Sequence, residues 1–147
     1  MSSDNEVATV FLDIYKSCVE SKFKSYDEDI VELNYEASMW YYNDKNIRKN
    51  VNELIKCGKK LSLYFSQSDE VGDTIIDEVH QLSLAYKLEF SCCDDIENVD
   101  DLKSVHTLSF EHCNNIKDVS ALSGVYDLRF EECDGILNVD ALGHVHK

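Results

Sequence analysis

The chain has 147 residues, with 14 lysines and arginines against 29 aspartates and glutamates, for a net charge of -15. That length suits one domain whose core stands without cross-links, and 44% hydrophobic with 29% charged residues is globular composition, not that of a disordered chain. The charge speaks against nucleic acid and anionic membrane as partners. No apolar run reaches the roughly 20 residues of a membrane span, and the acidic start shows no basic region ahead of an apolar stretch, so an intracellular, cytoplasmic protein is expected. Residues 1–58 hold 7 basic and 11 acidic side chains and residues 59–147 hold 7 and 18, so the acid gathers in the C-terminal part and favours a basic partner.

In chain order, Ser3 and Glu6 form a capping box ahead of an apolar stripe of Val7, Val10, Phe11, Ile14 and Cys18 at helical spacing. This predicts a helix over 4–24 as an N-terminal cap within residues 1–29. Ile30 to Tyr35 alternates like a strand. Asp44 then caps a helix carrying Ile47, Val51, Leu54 and Ile55, which Gly58 closes. The run Met39-Trp40-Tyr41-Tyr42 is read either as core or, through Trp40, as an anchor for a partner. Lys60 to Phe65 reads as a second strand, followed by a helix capped by Asp73 with Ile76, Val79 and Leu82 on one side.

Three tandem units of 20 residues follow, at 87–106, 107–126 and 127–146. Seven columns are identical in all three: Leu88/Leu108/Leu128, Phe90/Phe110/Phe130, Cys93/Cys113/Cys133, Ile96/Ile116/Ile136, Val99/Val119/Val139, Leu102/Leu122/Leu142 and Val105/Val125/Val145. Leu and Phe two apart predict a short strand with both side chains on one face. From Cys onward the apolar residues recur every three positions, a period of 3₁₀ turns or an extended path and not of an α-helix.

The pattern L-x-F-x-x-C-x-x-I-x-x-V-x-x-L-x-x-V resembles a leucine-rich repeat, with Cys in place of the family's Asn ladder. Its wording is similar to repeats of large DNA viruses and some protists. The resemblance is specific over 87–147 and weaker upstream. It implies an α/β solenoid over 30–147, with a parallel sheet on one face, a degenerate repeat at 30–59, a long one at 60–86 and the three short ones. It also implies partner binding on the sheet face. With Leu88 and Phe90 inward, the outward residues are Lys60, Ser62 and Tyr64, then Lys87, Glu89 and Ser91, then Thr107, Ser109 and Glu111, then Asp127, Arg129 and Glu131.

Enzymatic and metal chemistry find little support. Of the six cysteines, Cys92 and Cys93 are adjacent and none has a C-x-x-C spacing. The Cys93/Cys113/Cys133 column reads as small buried packing, reduced and without metal. His106, Tyr126 and His146 share a column of flat rings, and the acidic pairs Asp94-Asp95, Asp100-Asp101 and Glu131-Glu132 lack calcium-loop spacing. No catalytic residue and no cofactor are expected. The reading is a non-enzymatic protein-protein interaction module for a basic partner. The alternatives are a structural component of a virion or other large particle and an F-box-like adaptor, the latter without its usual Leu-Pro entry. The chain stops at His146-Lys147, where another repeat would begin. The edge at Leu128-Arg129-Phe130 is therefore expected to be covered by a partner or by self-association.

Overall fold

The computed structural model describes residues 30–56, 58–67 and 76–143. The helix expected over 4–24, Cys18, Cys57, the Asp73 cap, His144 and His146 lie outside the described residues. The arrangement is α/β. Five strands, β1 (Ile30–Glu32), β2 (Lys60–Ser66), β3 (Lys87–Ser91), β4 (Thr107–Glu111) and β5 (Asp127–Glu131), form one sheet in chain order, accompanied by helices α1 (Tyr35–Asn43) and α2 (Lys45–Lys56). The chain divides into two compact units, 1–64 and 65–147, and the division falls within β2.

In the first unit β1 runs parallel to β2, with Val31 opposite Leu61. The expected strand Ile30 to Tyr35 is shorter, because Asn34 turns the chain into α1: its side chain accepts the Ala37 amide at 2.9 Å, an N-cap. Asp44 caps α2 as its sequence suggests, accepting the amides of Asn46 at 2.8 Å and Ile47 at 3.2 Å. Its own amide donates to the Trp40 carbonyl at 2.9 Å, so one residue ends α1 and begins α2. Arg48 donates to the carbonyls of Tyr41 and Tyr42 at 3.0 and 2.8 Å, placing a cation at the C-terminal end of α1, where the helix dipole favours positive charge. The Tyr41 hydroxyl donates to Asn52 of α2 at 2.7 Å, and burial raises its pKa. Gly58, at φ +94°, takes the left-handed position after α2 that glycine enters without a Cβ clash.

Fully buried Ser38 joins α1 to the strands. Its hydroxyl donates to the Leu33 carbonyl at 3.2 Å and accepts the Tyr64 amide at 3.0 Å.

In the second unit the 20-residue period becomes the strand register: Leu88, Leu108 and Leu128 lie side by side, as do Phe90, Phe110 and Phe130. The rings of Phe65, Phe90, Phe110 and Phe130 stack with centroids 5.2–5.5 Å apart and planes within 14°. Offset stacking at this separation adds attraction to the area buried. After each strand one non-glycine residue turns left-handed: Cys92 at φ 56°, His112 at 51° and Glu132 at 51°. That conformation costs an ordinary residue on the order of 1 kcal/mol. The amides of Cys92 and His112 still donate across the sheet, to the carbonyls of Glu111 and Glu131.

The period of three resolves as short 3₁₀ turns, at Asp100–Leu102, Ser120–Gly124 and Asp140–Leu142. A side-chain oxygen two residues before each first residue caps it: Asn98 for Asp100, Asp118 for Ser120 and Asn138 for Asp140, at 2.9–3.0 Å. The Ser120 hydroxyl also donates to Asp118, and these bonds lower the Asp118 pKa. The same reading corrects the element before β3. Ile76, Val79 and Leu82 are buried, but 76–78 is not helical and Val79–Leu82 is a 3₁₀ turn, since their i, i+3, i+6 spacing suits three residues per turn better than 3.6.

Candidate interaction surface

The three strands of the second unit present an array of nine outward side chains, three from each. In register, Lys87, Thr107 and Asp127 form one row, Glu89, Ser109 and Arg129 the next, and Ser91, Glu111 and Glu131 the third. Glu111, Arg129 and Glu131 are exposed and the other six half-buried. Lys87 and Glu89 form an ion pair at 2.8 Å. Both side chains are more than a third exposed, so solvent screens the pair and it contributes little stability. The third row ends on two adjacent carboxylates, Glu111 and Glu131. Near them His112 lies 3.8 Å from Glu111 and 3.3 Å from Glu132.

In the first unit Lys60 and Tyr64 are exposed, as expected for the solvent side of β2, but Ser62 is buried at 8% exposure and offers no contact surface. Alternation alone misplaces it, because an outward-pointing side chain in a strand stays exposed only if nothing packs over that face. Trp40 is half-buried on α1 between buried Met39 and Tyr41, so most of the aromatic run is core.

Behind the array, each repeat's cysteine faces a carbonyl of the preceding strand. Cys93 lies 3.9 Å from the Phe65 carbonyl, Cys113 3.9 Å from that of Phe90, and Cys133 3.4 Å from that of Phe110. The thiols act as weak donors to carbonyls at the strand ends. Among the described residues all four cysteines are free, and the left-handed turn at Cys92 leaves its side chain in solvent while Cys93 is buried. The Cys93 thiol is pushed up by its neighbour Cys113 and by burial, and burial also pushes up Cys133. Cys133 is only half-buried, so the expectation of three buried thiols holds for two.

A second, polar ladder sits one position further on, where sequence reading did not look for one. The Asp94 side chain accepts the Asn114 amide at 3.0 Å, and the Asn114 side chain accepts the Asp134 amide at 3.1 Å. The mixed Asp/Asn/Asp column hides this from an identity search, although each residue has the carbonyl or carboxylate oxygen needed. Rings make a third ladder. His106 lies between Tyr86 and Tyr126, at 4.5 and 4.7 Å, with Nδ1 2.9 Å from the Thr107 hydroxyl. Outside the turns, Glu97, Asn98, Asp100, Asn115, Lys117 and Asp118 line an open polar groove of about 300 Å³.

Among the described residues no group of three His, Cys, Asp or Glu side chains is placed to hold a metal ion, and no helix is long and apolar enough to cross a membrane. Compared with protein families, curated proteins and solved structures, the chain matches none.

Proposed function

We propose that the chain is a leucine-rich-repeat solenoid that works as a non-enzymatic protein-binding module in the cytoplasm, taking a basic partner surface on the sheet face of its short repeats. The supporting observation is the nine-residue outward array, held in exact 20-residue register by strands whose inner face is filled by stacked phenylalanines. Side chains on such a backing are fixed before a partner arrives, which lowers the ordering cost of binding. The carboxylates of Glu111 and Glu131 supply the electrostatic attraction.

Affinity capture from the native source identifies the partner. Charge reversal at Glu111 and Glu131 then lowers its association rate, with a loss that shrinks as salt is added. Binding untouched by those changes but abolished by Trp40→Ala moves the interface to the first unit. A second reading, a structural component of a virion or other large particle, draws on Leu137 and Val139, which are 92% and 55% exposed and which a large assembly would cover. Its test is whether the protein co-purifies with such particles.

A further inference from the structure

The charge of the chain is unevenly placed. Residues 45–60 carry six basic side chains, Lys45, Arg48, Lys49, Lys56, Lys59 and Lys60, against one acidic, Glu53. The rest of the sequence holds the other 8 basic residues and 28 acidic ones. Most of this basic run is helix α2. At 3.6 residues per turn, Lys45, Lys49 and Lys56 fall within a sector of roughly 40°, directly opposite buried Ile47 and Val51. All three lysines are exposed, as are Asn46, Asn50 and Glu53 beside them. At 1.5 Å per residue, successive lysines of the three stand about 6 and about 10.5 Å apart along the axis.

The fold does not account for these lysines. Lys56 pairs with Glu53 at 3.0 Å, but both side chains are more than half exposed, so solvent screens the contact and a competing carboxylate can replace it. Lys45 and Lys49 form no ion pair or side-chain hydrogen bond among the described residues. They lie four residues apart, a spacing at which like charges repel. Lys45 also opens the helix, at the end where the dipole disfavours a cation, and the first turn holds no acidic residue. The Asp44 carboxylate just before it is engaged by the amides of Asn46 and Ile47. Local departures of this kind, against the stability of the element itself, are characteristic of functional surfaces.

The face is polar throughout, so charge decides what fits it. Helix α2 is anchored on α1 through the Tyr41 hydroxyl on Asn52 and through Arg48, so the face is set before a ligand arrives. Carboxylates at positions i, i+4 and i+11 of a partner helix reproduce the spacing of the three lysines. A nucleic acid or an anionic membrane carries its charge far past a face of this length, where it meets the surplus acid of the rest of the chain. A second copy sets a net charge of -15 against another of -15. A short acidic segment meets the lysines alone.

We propose that the outer face of α2 is a docking site for an acidic helical segment of a partner protein, whose carboxylates pair with Lys45, Lys49 and Lys56. The site lies in the first unit and is opposite in sign to the carboxylates of the sheet-face array, so it stands whether or not that array binds a basic partner.

The test titrates the full 147-residue chain with a capped helical peptide that has glutamates at its first, fifth and twelfth positions in an alanine–glutamine background. A counterpart replaces the three glutamates with glutamine. The first peptide shifts the amide resonances of Lys45, Lys49 and Lys56, and the second does not. Salt at about 0.5 M abolishes the shifts. The double variant Lys45→Gln, Lys49→Gln binds the first peptide about fivefold more weakly, the size expected for two exposed ion pairs. Its urea midpoint is unchanged or higher, because repulsion at the start of the helix is relieved, whereas a purely structural role for the lysines would lower it. The proposal is overturned if neither peptide binds, if the two bind equally, if the double variant keeps full affinity, or if its urea midpoint falls. It is also overturned if a short DNA duplex or phosphatidylserine vesicles shift the same amides at lower concentration than the peptide, or if the chain dimerises through this face.

Discussion

Ile116 and Ile136 occupy the same column of adjacent repeats, yet Ile116 is fully buried and Ile136 is half-buried. Truncating each to alanine measures what a neighbouring repeat contributes. Ile→Ala removes three carbons, about 2.4 kcal/mol at roughly 0.8 kcal/mol for each buried methylene. Ile116 has a repeat on both sides, and a residual cavity of roughly 50 Å³ adds about 1.2 kcal/mol at ~24 cal/mol per Å³. The expected cost of Ile116→Ala is therefore about 3.5 kcal/mol. At Ile136 the side chain is partly hydrated already and the site opens to solvent, so no closed cavity forms and about 1 kcal/mol is expected. Urea unfolding followed by far-ultraviolet circular dichroism gives both values, provided the slope of free energy on urea is unchanged between variants. If Ile136→Ala costs as much as Ile116→Ala, or if Ile116→Ala costs less than about 1 kcal/mol, stacking against both neighbours is not what holds this column.

Further expectations concern thiols, glycines and the buried hydroxyl. Cys92 reacts rapidly with a thiol reagent in the native protein while Cys93 and Cys113 react only on unfolding, a difference that mass spectrometry of labelled peptides reads directly. Because burial makes Cys133 ionise less readily folded than unfolded, its contribution to stability is complete below the ordinary thiol value of 9.0 and is lost as pH rises from there toward its raised folded value. Stability that stays level through that alkaline range contradicts the burial assigned to it. A Cβ at Gly135 would stand 2.2 Å from the Asn114 carbonyl oxygen and 2.8 Å from that of Ile116, whereas one at Gly124 meets nothing within 4 Å. Gly135→Ala should thus lower the urea midpoint, and Gly124→Ala should leave it unchanged or raise it by about 0.4–1 kcal/mol equivalent. Ser38→Ala leaves the Tyr64 amide without its acceptor and should cost about 1–3 kcal/mol; a neutral result would mean water replaces the hydroxyl.

The register of the second unit was legible because its columns are made of identical residues, and stacking Leu on Leu and Phe on Phe leaves no competing alignment. A slip of one residue would turn Leu108 and Phe110 to solvent. Exposure at the end of the sheet was harder to read. Val119 and Val139 are the same residue in the same motif, and only the presence of a neighbour on both sides buries the first. Helix α1 was missed because its buried residues, Ala37, Ser38, Met39, Tyr41 and Tyr42, follow almost continuously, so no 3.6-residue stripe stands out. Asn34 with Glu36 in the first turn was the available signal. The Asp94–Asn114–Asp134 ladder escaped because its bonds join side chain to backbone across repeats, which a comparison of side-chain identity does not detect.

The only tryptophan of the protein, Trp40, belongs to the first of the two compact units. Indole fluorescence excited at the red edge of the absorption band is therefore blind to the repeats themselves. It follows the region around α1, while the peptide circular dichroism sums over helices α1 and α2 and all five strands. The chain thus carries one optical channel confined to its first unit and one that covers both. A destabilising change confined to the repeats, such as Ile116→Ala, moves the tryptophan transition only if the two units unfold together. Coincident or split melting curves then report whether this protein behaves as one thermodynamic body or two.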